Sequence, residues 1–356
     1  MVTLALNRRR LLRSSALAGM ALALPRQVMA QSAATLRLRS IVDIQTLDPA
    51  FTYSVHEHNI NRAQLHNLIT WKKHLSWEWE LDAAAAIEQA DATHVTFALR
   101  DDVGWTNGFG DMTADDVKFS FERIKDPELQ SAYQADWALL DHVEVTGERT
   151  GTIVMQQPFA PLWNSTLPWV SGFILCKAAL EALPGKRIDT AQPAVSGPYL
   201  VKDWQPKQKI VLGRNDGYAG PKPDFDDIVL FPVDEDKTAE LAFEAGEYDY
   251  CPISISSVPR YRQAAPEGAV LFEGPALDYY WLGINVDHPN FQDARVRKAV
   301  QYALDVPAIL DAAFFGVVSR ATGYQTKGGI GYRDTNQVAE RDLDKAMALL
   351  AEASVG

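Results

Sequence analysis

The chain has 356 residues, two cysteines, 34 Lys and Arg against 46 Asp and Glu, and a formal charge of −12. Its 47% apolar content can build a sizeable core, over roughly two domains' worth of chain, and excludes a disordered protein, a collagen-like repeat and a disulfide-stapled miniprotein. All five charges in the first thirty residues are arginines, so the remainder carries −17, a surface that repels nucleic acid and anionic lipid and leaves neither as an expected partner.

Asn7-Arg8-Arg9-Arg10-Leu11-Leu12-Arg13 leads into an apolar run over 14–24, then Pro25 and Val28-Met29-Ala30. A basic start, a short apolar stretch and a small residue before a cut form an export signal over 1–30, with the mature chain starting at Gln31. The run is shorter than the roughly 20 residues a spanning helix needs. The paired arginines and Leu11-Leu12 resemble a twin-arginine signal, with a general secretory signal carrying extra arginines as the alternative. The expected location is the bacterial periplasm, where Cys176 and Cys251 could pair. With only these two cysteines, zinc-ligand spacing is absent.

Residues 35–44 carry Leu36, Leu38, Ile41 and Ile44 and predict a strand, which Leu47-Asp48-Pro49 ends in a turn. Residues 57–71 suit a helix. Residues 94–100 alternate Val95, Phe97 and Leu99 and predict a half-buried strand. Thr113-Ala114-Asp115-Asp116 is a capping box, and Val117, Phe121 and Ile124 behind it share one helix face. Residues 143–145 and 152–155 read as a hairpin or two nearby strands, and Ser196-Gly197-Pro198-Tyr199 breaks the chain. Residues 210–212 and 228–233 read as strands, the second apolar enough for burial on both faces. Residues 238–245 form a helix closed by Gly246. Residues 279–286 read as a further strand. Asp293 caps a helix over 294–304 with a stripe of Val296, Ala299, Val300 and Leu304, and 343–350 is the last helix. Strands and helices intermix throughout, which makes the fold class α/β.

No G-x-S-x-G, H-E-x-x-H, P-loop or dinucleotide fingerprint occurs, so a secreted hydrolase has no motif to carry it and no enzyme activity or cofactor is expected. His56, His58, His66 and His74 fall within nineteen residues. Imidazoles in this number could contact a transition metal or haem, but the spacing matches no standard site and a polar loop with a helix rim is the favoured reading. An extended loop would aim His56 and His58 the same way; a helix would point them apart. Trp77-Glu78-Trp79 and Tyr279-Tyr280-Trp281 are aromatic groups of the kind that line ligand clefts or pack cores. In a strand, Tyr279 and Trp281 would share one face and Tyr280 would take the other.

Several blocks in order resemble family 5 of the bacterial extracellular solute-binding proteins, the dipeptide, oligopeptide and nickel receptors of ABC importers. They are Leu47-Asp48-Pro49, Phe97-Ala98-Leu99-Arg100, Gly104-Trp105 with Asn107-Gly108, and Thr113-Ala114-Asp115-Asp116-Val117-Lys118-Phe119-Ser120. Later come Ser196-Gly197-Pro198-Tyr199, Arg214-Asn215 with Tyr218, Leu241-Ala242-Phe243 with Gly246-Glu247-Tyr248-Asp249, Asn285, and Asp293 through Val300. The resemblance implies a type II periplasmic-binding-protein fold, with two lobes of mixed sheets that close on a ligand. Residues 35–72 and 190–277 would form a first-lobe core, 73–189 an inserted subdomain, and 278–356 the start of a second lobe that is incomplete at Gly356. It implies a monomeric receptor for a small peptide or similar solute, handed to ABC permease subunits, with a metal or metallophore receptor of nickel or haem type using His56, His58 and His66 as the alternative. The candidate ligand-binding residues are Tyr53, His56, Trp71, Tyr279, Tyr280, Trp281 and Asn285. An incomplete second lobe also predicts a protease-resistant first lobe, a labile tail after about residue 278 and weak ligand binding.

Overall fold

The computed structural model describes residues 2–7, 34–72, 78–274, 278–327, 329, 331–336 and 340–353. Residues 8–31 of the expected export signal and mature start, together with His74 and Trp77, lie outside the described residues. The chain forms two compact units, 19–249 and 1–18 with 250–356.

In the unit 19–249, four strands form one sheet in the order Tyr199–Gln205, Lys209–Arg214, Asp227–Pro232, Thr35–Ser40. The first two junctions are antiparallel and the last is parallel, with Leu36 opposite Ile228 and Leu38 opposite Leu230. The expected strand over 35–44 stops at Ser40, and Ile44 turns into the core instead. That core holds Ile44, Leu47, Ile60, Tyr199, Ile210, Leu212 and Leu230. In Asp227–Pro232 only Leu230 is fully buried, so the apolar run is half-covered rather than enclosed on both faces.

A second sheet is wholly antiparallel, in the order Ala84–Gln89, His94–Leu99, Thr150–Met155, Leu140–Gly147. The expected alternation holds: Val95, Phe97 and Leu99 face inward. Helix Ala114–Lys125 lies against this sheet with Val117, Phe121 and Ile124 buried, and Phe121 stacks on Trp137 at 4.2 Å between ring centroids. The core of this region is separate from the first.

Between the two cores runs helix Val55–Gln64. It starts on a capping box in which Ser54 accepts from the Glu57 N–H and Glu57 accepts from the Ser54 N–H. The reading of one helix over 57–71 is too long. The backbone turns extended at Leu65, and Ile69–Trp71 is a strand paired with Trp79–Leu81. The reason is tertiary. The Gln64 carbonyl accepts the N–H groups of Ser196 at 3.0 Å and Gly197 at 2.8 Å, which occupy the helix end. A side chain at Gly197 would place its Cβ 2.7 Å from the Ala63 carbonyl oxygen, so glycine is what permits this approach.

In the other unit, Val2–Asn7 pairs antiparallel with both Tyr250–Pro252 and Ala269–Gly274. A small core joins Ile253, Val258, Tyr261 and Val317. Helix Ala294–Ala303 is capped by Asp293, whose carboxylate accepts from the Arg295 N–H at 2.8 Å, and buries Val296 and Ala299. Helices Val306–Phe314 and Leu343–Glu352 follow. The predicted strand over 279–286 is not formed. Among the described residues no neighbouring strand offers it ladder bonds, and alternation alone does not make a strand without a partner.

Candidate ligand-binding site

The turn before helix Val55–Gln64 is built on two buried carboxylates. Asp48, fully buried, accepts from the Ala50 N–H at 3.1 Å and the Ile188 N–H at 3.2 Å. It also takes both Arg123 guanidinium nitrogens, at 2.9 and 2.7 Å. Glu57 accepts from Gln45 and Thr46 N–H on one oxygen and from Tyr53 and Ser54 N–H on the other, at 2.8–3.2 Å. Burial pushes the Glu57 carboxyl up, but these backbone donors outweigh it and hold it below the usual value. Glu57 holds the backbone N–H of Tyr53, while the residue stands 80% exposed.

His56 is half-buried, and its Nε2 accepts from the Ile41 N–H at 3.3 Å. Burial, helped by the Arg39 charge, lowers its pKa, so the ring is neutral near pH 7. Because the segment is helical, His58 points away from His56 and inward. Its Nε2 lies 3.1 Å from the Tyr133 hydroxyl, and its ring meets Trp169 edge-on at 5.6 Å. His66 lies past the helix end, stacked on Tyr218 at 6.0 Å. The three histidines do not converge. Among the described residues no group of three or more His, Cys, Asp or Glu side chains is placed to hold a metal ion.

His66 Nδ1 is 3.0 Å from Ser196 Oγ, and its Nε2 is 3.6 Å from Asp82. Ser196 is buried, and the Asp82 contact is too long for a hydrogen bond. Burial lowers the His66 pKa and raises that of Asp82, against their mutual attraction. This trio ties the 196–199 segment to the helix end.

Trp71 is half-buried on its own hairpin, opposite Trp79, which stacks on Trp163 at 5.4 Å. In the other unit, Tyr279 and Trp281 meet edge-on at 5.8 Å while Tyr280 turns to Phe314 at 5.1 Å. The division expected of a strand therefore survives in a segment that is not one. Asn285 accepts from the Asp287 N–H at 3.0 Å and lines a groove of ≈ 220 Å³ with Leu282, Ile284, His288, Phe291 and Val300. Of the candidate residues the structure brings Tyr279 and Trp281 into contact; Tyr53 and His56 flank one helix start, Tyr280 and Asn285 face other partners, and Trp71 stands on a separate hairpin. Sequence reasoning missed Trp169 and Tyr133, which flank His58. Their positions far along the chain give no local signal. Cys176 and Cys251 are buried thiols, one in each unit.

The blocks that carried the resemblance act as ties. Asp116 accepts from the Thr113 N–H at 2.9 Å, the Trp105 indole at 3.2 Å and the Lys177 N–H at 2.8 Å, joining two blocks and a distant loop. Asn215 donates to the Gly197 carbonyl at 2.9 Å. Asp249 takes Arg37 in a bidentate pair at 2.9 and 2.7 Å.

The family profile described as bacterial extracellular solute-binding proteins, family 5 Middle, matches residues 78–356. The chain belongs to that family. Relatives include the Probable D,D-dipeptide-binding periplasmic protein of Escherichia coli K12, 27% identical over 86% of this chain and 60% of its own length. The periplasmic oligopeptide-binding protein of the same strain is 26% identical over 87% and 61%. The chain therefore spans about 60% of the length of these family 5 relatives. A periplasmic binding protein of A. tumefaciens R10, solved with mannopinic acid, matches with a TM-score of 0.75 and 27% identity over 91% of this chain and 66% of that one. The fold is that of the type II periplasmic binding proteins.

Proposed function

We propose that this chain is the solute-capturing receptor of an ABC importer, exported to the periplasm on a twin-arginine-like signal. It takes a small peptide or similar solute and delivers it, as a monomer, to permease subunits in the inner membrane. The observation that carries this reading is the family match over 78–356, together with relatives named for dipeptide and oligopeptide binding. The lobe assignment of 35–72 with 190–277, the insertion 73–189 and the second lobe from 278 belongs to the same proposal. Tyr53, His56, Trp71, Tyr279, Tyr280, Trp281 and Asn285 are the proposed ligand contacts. Most are aromatic, and the Tyr53, Tyr280 and Trp281 rings are largely exposed, which suits capture by stacking and apolar contact. Binding favours a closed form only through differential affinity, and no bond of the ligand is broken.

The metal-receptor alternative gains no support from the placement of His56, His58 and His66, which face different partners and do not converge. Thermal-shift and calorimetric titration of the full chain with di-, tri- and oligopeptides, and with nickel in the presence and absence of free histidine, tests the reading. A peptide is expected to raise the melting midpoint and bind with one-to-one stoichiometry. A response to nickel–histidine alone would overturn the peptide assignment. Unchanged affinity in each of the Tyr279→Ala, Tyr280→Ala and Trp281→Ala variants would remove that wall from the site.

A further inference from the structure

Helix Val55–Gln64 turns a polar stripe inward. His58, Asn61 and Gln64 are spaced three apart on one face and all buried, Asn61 and Gln64 completely. Gln192 approaches from the segment before the Ser196-Gly197 break, its Nε2 donating to the Leu47 carbonyl at 2.6 Å and lying 3.3 Å from Asn61 Oδ1. Five polar atoms in this group have no protein partner: His58 Nδ1, Asn61 Nδ2, both amide atoms of Gln64, and Gln192 Oε1.

Reorienting the amides of Gln192 and Asn61 does not pair them. Turning Gln192 over would set its oxygen against the Leu47 carbonyl. Turning Asn61 over would set NH2 against NH2 across the 3.3 Å contact. Gln64 lacks a partner on both amide atoms as it stands. His58 has no freedom either. The Tyr133 hydroxyl donates to the Thr52 carbonyl at 2.7 Å, so His58 Nε2–H donates to that hydroxyl and Nδ1 carries the bare lone pair. Burial lowers the His58 pKa, which keeps this neutral form.

The unpaired atoms are a mixture. Asn61 Nδ2 and Gln64 Nε2 donate; His58 Nδ1, Gln64 Oε1 and Gln192 Oε1 accept. A cation would leave the donors unmet and an anion the acceptors. Water, with two of each, suits both, and buried waters characteristically make about three such bonds. We infer that ordered water is built into the seam between helix Val55–Gln64 and residue 192, bridging Asn61, Gln64 and Gln192 and extending toward His58. The helix that carries Tyr53 and His56 at its start therefore rests on a hydrated, polar bed, where the two apolar cores of the unit leave off.

Two measurements test this. A crystal structure of the full chain at a resolution that shows solvent should place a water within about 3.2 Å of at least two of the five atoms. None there would overturn the inference. Gln64→Leu removes two of the bridge's partners and strands the rest, so its thermal midpoint should fall by about 2–4 °C or more. A dry seam predicts the opposite, because an apolar side chain would relieve an unpaired amide; an equal or higher midpoint would overturn the inference. Should Gln64→Leu not fold, the wild-type crystal structure decides alone.

Discussion

The unit 19–249 and the unit of 1–18 with 250–356 are both assembled from capped helices and paired charges, but they place those charges differently. In the first, several ties are buried and reach across the chain, beside more exposed local pairs such as Arg100 with Asp102 and Lys118 with Glu122. Asp48 and Arg123 are enclosed, Arg39 is enclosed against Asp236, and Glu57 and Asp116 each collect several donors. In the second, Arg295 pairs with Asp293 two residues away, and Arg341 with Asp305 in the open. Apolar burial follows the same division. The first unit carries two cores, whereas helix Val306–Phe314 buries no residue and Tyr280, Trp281 and Tyr324 are mostly exposed. Enclosed ties make the parts of a unit fail together; exposed local ones let each helix open alone.

The sharpest way to break this contrast is Asp48→Ala. It leaves the Arg123 guanidinium buried without its carboxylate, and chemical denaturation should show a loss of about 3–5 kcal/mol from the unit 19–249. Hydrogen exchange reads the contrast directly: amides of helix Ala114–Lys125 should exchange more than about a hundredfold slower than those of Val306–Phe314, a gap of about 3 kcal/mol. Comparable rates would mean the two units share one cooperative transition. Glu57→Gln comes next, expected at about 1–3 kcal/mol at pH 7, since one amide oxygen replaces two charged ones. Its pH dependence has a definite sign. The folded Glu57 pKa is held low, so its stabilisation is complete above the unfolded value of about 4.3 and is lost as pH falls through the folded value. The gap between wild type and Glu57→Gln should therefore close in acid, and a gap that widened would refute the carboxylate's role. Arg341→Ala, which opens the exposed pair with Asp305, should cost under about 1 kcal/mol and less still in high salt.

Much of this was legible in the sequence where local chemistry decides. Thr113 to Asp116 announced its helix, Asp293 its cap, and the alternation over 94–100 its strand. The motif residues were readable as a family pattern but not as ties, because the partner of Asp48 lies at 123 and that of Arg37 at 249. Ser54-x-x-Glu57 was a readable capping box that the histidines around it obscured. The end of its helix was not readable, since residues 196 and 197 impose it. The strand over 279–286 was misread because periodicity reports which side is apolar, not whether a neighbour exists. For the proposed ligand contacts, aromatic identity could nominate Tyr53 or Trp281, but only the fold could show Trp169 against His58.

The parallel pairing of Thr35–Ser40 with Asp227–Pro232 has a temporal consequence. Ala34 donates to Asp226 across 192 positions, and the register continues from there. At a synthesis rate of about 5–20 residues per second, the first of these strands waits about 10–40 s for its partner to be made. The hairpin of Leu140–Gly147 and Thr150–Met155 needs no such wait, since its strands are neighbours in the chain. Pairing thus becomes possible in an order that differs from the order of synthesis. The antiparallel sheet over 84–155 can close while the strand Thr35–Ser40 is still an unpaired edge, and that edge is the segment a chaperone would have most reason to hold.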